Sequence, residues 1–174
     1  TEDLVRYAFC FPDLYDIGMS HLGIKILYHR LNEEKDVWCE RCFMPNTDME
    51  ELLRKHDMPL FALESKTPLN EFDFIGFTLQ YELCYTNILA MLDLAHIPFR
   101  AKDRKQGDPI LMAGGPCCCN PEPIADFFDI VIMGEGEEIL PDLMHLYKDC
   151  GRDRSTFLEK ARSLKGIYVP ELDH

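Results

Sequence analysis

The chain has 174 residues, 47% of them hydrophobic, with one Trp, seven Tyr and eleven Phe, enough apolar bulk for one well-buried core. A formal net charge of -13, with no basic cluster larger than "RAKDRK", argues against nucleic acid as a direct partner. No apolar run approaches the roughly 20 residues that span a bilayer, and "TEDLVRYAF" lacks the order of a signal peptide, so a cytoplasmic chain without a membrane partner is expected. Its first residue, Thr1, suggests a fragment of a longer protein.

"LVRYAFCF" (Leu4 to Phe11) is a continuous apolar and aromatic run ended by Pro12 and Asp13, the pattern of a strand buried on both faces. The loop "PDLYDIGM" follows. Ser20 is then placed to cap a helix whose apolar side is Ile24, Leu27 and Leu31, with Leu22 beside it. "DVWCERCF" reads as a second strand, and "TDMEELLRKH" as a helix opened by Thr47 with Glu50 three residues on, a capping-box pattern. "PLFALES" reads as a short strand or an irregular edge. "FDFIGFTLQ" is a strand and "TNILAMLDLAH" a helix with Ile88, Leu92 and Ala95 inward. "PILMAGG" and "DIVIMGEG" are two short apolar strands. "EEILPDLMHLYKD" closes the series with Ile139, Leu143 and Tyr147 on one face and Pro141 in about its first turn.

Strands alternating with helices imply right-handed crossovers and a parallel sheet covered on both faces. About five short strands suit a doubly wound, flavodoxin-like α/β domain of order 2-1-3-4-5. The domain is expected over residues 1-150. The more polar tail 151-174, with one short amphipathic helix, reads as a linker.

Eight cysteines in a signal-less acidic chain are expected to be reduced thiols. Cys39 and Cys42 form the only CxxC, but its strand-like setting and the lack of a second ligand pair speak against zinc. Cys117, Cys118 and Cys119 are adjacent, and neighbours on an extended segment point to opposite sides, so they do not make a chelate there. No metal ligand and no catalytic residue is assigned from the sequence.

In such a sheet the ligand sits beyond the carboxyl ends of the strands. Four turns lie there: "FPDLYDIGMSH", "TLQYE", "GGPCCCNPEP" and "GEGEE". Gly114 and Gly115, and Gly134 and Gly136, end two apolar strands where a missing side chain admits a ligand or a neighbouring backbone. Ordinary tight turns would look the same for either pair alone. Glu135, Glu137 and Glu138 at the last helix start suit the dipole but repel an anion, which weakens a dinucleotide reading. They would instead accept hydrogen bonds from hydroxyl or amide groups, or act only as first-turn residues.

Taken together, "FPDLYDIGMSHLGIKILYHRL", "DFIGFTLQYELCYTNILAMLDLA" and "PILMAGGPCCCNPEPIADFFDIVIMGEGEEILPDLMHLY" resemble the cobalamin-binding-like N-terminal domain of radical S-adenosylmethionine (radical SAM) iron-sulfur enzymes, in a poorly characterised branch. "KGIYVP" is similar to the segment that leads into their catalytic barrel. The resemblance implies a domain that positions a corrinoid or substrate beside that barrel, which would be its partner and would carry the [4Fe-4S] cluster and S-adenosylmethionine. The CxxxCxxC cluster motif is absent here, so the fragment is expected to be inactive alone. By the same resemblance Tyr15, Asp16, Gly18, Met19, Ser20, His21, Thr78, Leu79, Gln80, Gly114, Gly115, Gly134, Glu135, Gly136 and Glu137 would surround cobalamin. The DxHxxG cobalt-ligand motif is not matched around His21, which is left as an axial ligand, a helix-start residue contacting substrate, or a surface imidazole. The competing reading is a non-enzymatic docking module whose crevice is filled by Tyr15, Met19, Gln80, Tyr81 and Tyr85. A phosphoacceptor reading from Asp13, Asp16 and Thr78 lacks its Lys.

Overall fold

The computed structural model describes residues 3-173. β1 (Val5–Phe11), β2 (Val37–Phe43), β3 (Phe74–Thr78), β4 (Ile110–Gly114), β5 (Ile130–Ile132) and β6 (Ile167–Tyr168) form one sheet of order β2-β1-β3-β4-β5-β6. The first five strands are parallel in the order expected, and β6 adds an antiparallel edge beside β5, with Val131 opposite Tyr168. The direction of winding reverses between β1 and β3, which places the topological switch point there.

Alternation along β1 divides the interior into two cores. Val5, Tyr7, Phe9 and Phe11 face α2 (Leu22–Asn32), α5 (Gly136–Asp149) and α6 (Arg154–Ala161). Ala8 and Cys10 face α3 (Thr47–Lys55) and α4 (Tyr85–Leu94) on the other side. The central strands β1, β3, β4 and β5 are therefore apolar on both faces, as a sheet covered by helices on both sides requires. Between β1 and α2, the single turn α1 (Tyr15–Gly18) folds back over the ends of β1 and β2. A Cβ on Gly18 would overlap the Phe43 ring, so glycine is what lets this turn sit so close. A last short turn, α7 (Pro170–Asp173), follows β6.

Several local expectations are corrected. His21, not Ser20, caps α2: its Nδ1 accepts from Ile24 N at 3.2 Å, while Ser20 Oγ donates to Ile17 O. Asn46, not Thr47, caps α3, its Oδ1 accepting from Met49 N at 3.2 Å. In both cases the chain enters its helix one residue away from the expected cap, and the side chain in extended conformation takes the cap. Leu22 is exposed and not part of the apolar side of α2. Of the two forms expected for segment 59-65 it takes the irregular one, with an isolated bridge from Phe61 to Pro68 and Leu63 N bonded to Arg41 O of β2. Pro141 is the sixth residue of α5, in its second turn.

The tail shares the same interior as far as Val169. Phe157, Leu158 and Ala161 of α6 and Val169 are buried against the sheet, and its polar composition belongs to the opposite face of α6. Arg154 anchors the start of α6 to Asp129 at the foot of β5. Among the described residues no helix is long and apolar enough to cross a membrane.

Candidate functional site

The carboxyl ends of β1, β3, β4 and β5 enclose a cavity of about 200 Å³ on the side covered by α2 and α5. Six glycines line it: Gly23, Gly76, Gly114, Gly115, Gly134 and Gly136. Its deeper wall is Tyr7, Phe9, Met112, Ile132 and Leu140, and its polar groups are His21, Thr78 and Gln80. Of the residues expected to surround a ligand, His21, Thr78, Gln80, Gly114, Gly115, Gly134 and Gly136 are thus brought to one place.

The local backbone explains the glycines. Gly115 has a φ of 109°, and a Cβ there would come within 2.7 Å of Leu79 O, so only glycine allows the turn after β4 to lie against the turn after β3. Two backbone bonds hold these turns together, Leu79 N to Gly114 O at 2.7 Å and Cys117 N to Leu79 O at 3.2 Å. At Gly114 a Cβ would meet nothing within 4 Å, so open space lies beside the last residue of β4. Gly76 sits in the middle of β3 beneath the Tyr7 hydroxyl, which a Cβ would overlap.

The other expected residues lie elsewhere. Leu79 is fully buried in the opposite core. Tyr15 and Asp16 line a separate groove of about 330 Å³ beside α3, where Tyr15 packs edge-on against Phe43. Met19 Sδ accepts from Arg41 Nη1 at 3.6 Å, and Gly18 is committed to packing on Phe43. Ser20, Glu135 and Glu137 are exposed, Glu135 at the N-cap of α5 without a side-chain cap bond. His21 rests on the Phe11 ring at 5.5 Å between centroids and uses Nδ1 for its cap, which leaves Nε2 as its only other ring nitrogen.

Tyr81 links two of the turns at the carboxyl edge. Its hydroxyl donates to Asp13 Oδ2 at 2.7 Å, and Asn87 Nδ2 donates to Pro12 O at 3.0 Å, so the turns after β1 and β3 are fastened across the switch point. In the turns after β1, β3 and β5 the apolar side chains Leu14, Ile17, Leu22, Leu83 and Met133 are exposed, Leu83 at 84%.

The cysteines take no common position. Cys39 and Cys42 point into opposite cores. In the turn after β4, Cys117 is half-buried, Cys118 buried and Cys119 exposed. Burial first, then its two cysteine neighbours, pushes the Cys118 thiol up to about 12, so it is a packed, protonated side chain. Among the described residues no three His, Cys, Asp or Glu side chains assemble as a metal-ligand set.

Sequence reasoning missed Tyr7, Phe9, Gly23, Gly76 and Met112 as cavity walls. The signal was present in "FIGF", because a glycine inside a central strand marks a close approach from a neighbour.

Comparison with known proteins places these observations. The family described as radical SAM proteins, N-terminal, matches residues 23–170. An uncharacterized protein of Methanocaldococcus jannaschii is 29% identical over 170 residues, which cover 95% of this chain and 32% of that protein. The chain thus spans about a third of the length of that curated relative. No solved structure matches it.

Proposed function

Because the chain belongs to the family of N-terminal domains of radical SAM proteins, we propose that it is a non-catalytic module that holds a corrinoid or a substrate at its carboxyl edge, beside a radical SAM barrel. The observation that carries this reading is the glycine-lined cavity at the switch point, where a doubly wound sheet places its ligand. At about 200 Å³ it lies below the roughly 300–1,000 Å³ of drug-sized ligand sites, so it would take the narrow end of a larger ligand whose bulk stays outside.

The residues present fit cobalamin in that limited sense. The open space beside Gly114 and the absence of charged side chains from the cavity wall suit an uncharged, flat tail. His21 is the residue with a free ring nitrogen near the mouth, but its Nδ1 bond to Ile24 fixes the ring as part of α2, so ligation of cobalt is not part of the proposal. Bound cobalamin would supply methyl or electron transfer to the barrel; the domain itself contributes binding, orientation and shielding. Thr78 and Gln80 would meet the polar part of the ligand, and the exposed Leu22, Leu83 and Met133 in the turns at the carboxyl edge would face the barrel or the macrocycle. Localisation in the cytoplasm fits this reading.

The exposure of these same apolar side chains favours a second reading, a docking module that binds the barrel and no corrinoid. Titration of the purified chain with hydroxocobalamin separates the two. The expected result is a saturable change of the visible spectrum to a base-off form, lost in Gly114→Val. No saturable change, in folded chain and in the full-length protein alike, would overturn corrinoid binding and leave docking.

A further inference from the structure

Lys66 is held in a conformation that lysine disfavours. Its φ is 61°, in the left-handed region where a side chain crowds the backbone. The turn around it imposes this strain: Ala62 N donates to Thr67 O at 2.9 Å, Lys66 N donates to Ala62 O at 3.1 Å, and the adjoining Ser65 is bound to buried Glu40. Strain of this kind persists only where the surroundings enforce it, and it clusters at functional positions. The Lys66 ammonium donates to Leu63 O at 2.8 Å and stands 5.6 Å from the centre of the Phe61 ring. Among the described residues no carboxylate pairs with it. Glu64, two residues before it, is spent on Arg41, through Nε at 2.7 Å and the backbone N at 2.9 Å. Two of the three ammonium protons therefore remain for another acceptor.

This cation borders the groove of about 330 Å³ beside α3, which shares no lining residue with the glycine-lined cavity. Its volume falls within the roughly 300–1,000 Å³ of sites for small organic molecules. Tyr15 of α1, Phe43 and Met44 at the end of β2, Met49 of α3, and Leu60 and Phe61 beyond it make the wall apolar. The two methionines are unbranched and adapt to a flexible chain. Asn46 is spent on Met49 N as the cap of α3, which leaves Lys66 and Asp16 as the charged groups of the lining. An apolar hollow with one cation short of a partner is complementary to an apolar body that ends in a single anionic group.

We propose that this groove is a separate ligand site, for a small aliphatic monocarboxylate whose chain lies against the apolar wall and whose carboxylate meets the Lys66 ammonium. The proposal does not rest on what the glycine-lined cavity holds. Because Lys66 is exposed, its pair with the carboxylate adds about fivefold in affinity, the upper range for an ion pair in water, and burial of the chain supplies the rest. A dicarboxylate would carry its second charge into the apolar wall or toward Asp16 and is disfavoured for that reason.

The test titrates octanoate, octan-1-ol and octanedioate into the chain and follows methyl-labelled methionine by NMR. Octanoate is expected to shift Met44 and Met49 saturably and to leave Met112, in the other cavity, in place. Octan-1-ol is expected to bind about fivefold more weakly, and octanedioate more weakly than octanoate. Lys66→Met, which keeps an unbranched stem and removes the charge, is expected to bind octanoate no better than octan-1-ol, while Lys66→Arg keeps the preference. Met49→Trp, at an exposed position of the wall, is expected to fold and to lose octanoate and octan-1-ol alike, read at Met44. Equal affinity of the wild type for octanoate and octan-1-ol, or for octanoate and octanedioate, would overturn the proposal. So would octanoate binding unchanged in Lys66→Met or Met49→Trp, shifts confined to Met112, or shifts that never saturate.

Discussion

Arg154 Nη2 lies 2.5 Å from Asp129 Oδ1 in the interior, and Arg104 Nε reaches the other carboxylate oxygen at 3.1 Å. Asp129 Oδ2 also accepts from Leu111 N, and the two guanidiniums use their remaining donors on the carbonyls of Pro98, Phe127 and Pro109. The network joins α6 to the amino ends of β4 and β5. Removing one member leaves a buried charge short of a partner, so Arg154→Met is expected to cost about 3 kcal/mol and Asp129→Ala at least as much. Urea unfolding followed by circular dichroism measures both; a loss within 0.5 kcal/mol, about the scatter of ordinary surface substitutions, would contradict the arrangement.

Glu40 is fully buried on β2, where it pairs with Arg6 at 2.8 Å and accepts from Ser65 N at 2.6 Å and Ser65 Oγ at 2.9 Å. It fastens the loop 62-68 to the edge of the sheet. Glu40→Ala is expected to lower stability by about 3 kcal/mol and to open this loop to limited proteolysis. Cleavage mapped by mass spectrometry should begin near Lys66; an unchanged digestion pattern would show that the loop holds by other means.

Gly115→Ala meets both a left-handed backbone and the Leu79 carbonyl. The expected cost is about 1–3 kcal/mol, with the turns after β3 and β4 pushed apart. Chemical shifts of Thr78 and Gln80 should move in the variant even where it remains folded, and any ligand of the cavity should bind more weakly.

Burial holds the thiols of Cys10 and Cys39 well above their ordinary range and that of Cys118 up to about 12. The unfolded chain releases these protons near pH 9 while the folded chain retains them. Their contribution is therefore complete below about pH 9 and is lost as pH rises from there toward 12. Thermal midpoints should fall steadily above pH 9. At pH 8, iodoacetamide should modify exposed Cys119 first and reach Cys10, Cys39 and Cys118 only on unfolding; early labelling of Cys118 in the folded chain would refute its burial.

The order of the first five strands was legible because each apolar run is short, bounded by Pro, Gly or Asp, and separated from the next by a helical period. Helix entry was less so. Ser20 and His21, or Asn46 and Thr47, are adjacent cap candidates, and the choice depends on the direction from which the chain arrives. The expected site residues divided because sequence proximity to a strand end does not fix the side of the sheet. Gly18 turns α1 toward Phe43, and Tyr15 and Asp16 go with it, while His21, three residues past Gly18, stands on the cavity side. Tyr7 was hidden for the opposite reason. Within an aromatic strand it reads as core, and nothing local reveals that it lines the cavity.

The reversed direction of β6 sets the route by which the polypeptide leaves. The parallel strands all point toward the cavity, but β6 runs the other way, so Val169 and Pro170 head for the far rim, where Pro170 and Glu171 stand beside Arg100 and Lys102. A domain tethered beyond residue 173 would begin its path on the side remote from the cavity mouth. To reach that mouth the tether must double back along the β6 edge for the length of a strand, about 17 Å, which five or six extended residues can span. In such an arrangement, shortening the tether by those residues would keep the two domains apart without touching a single side chain of either.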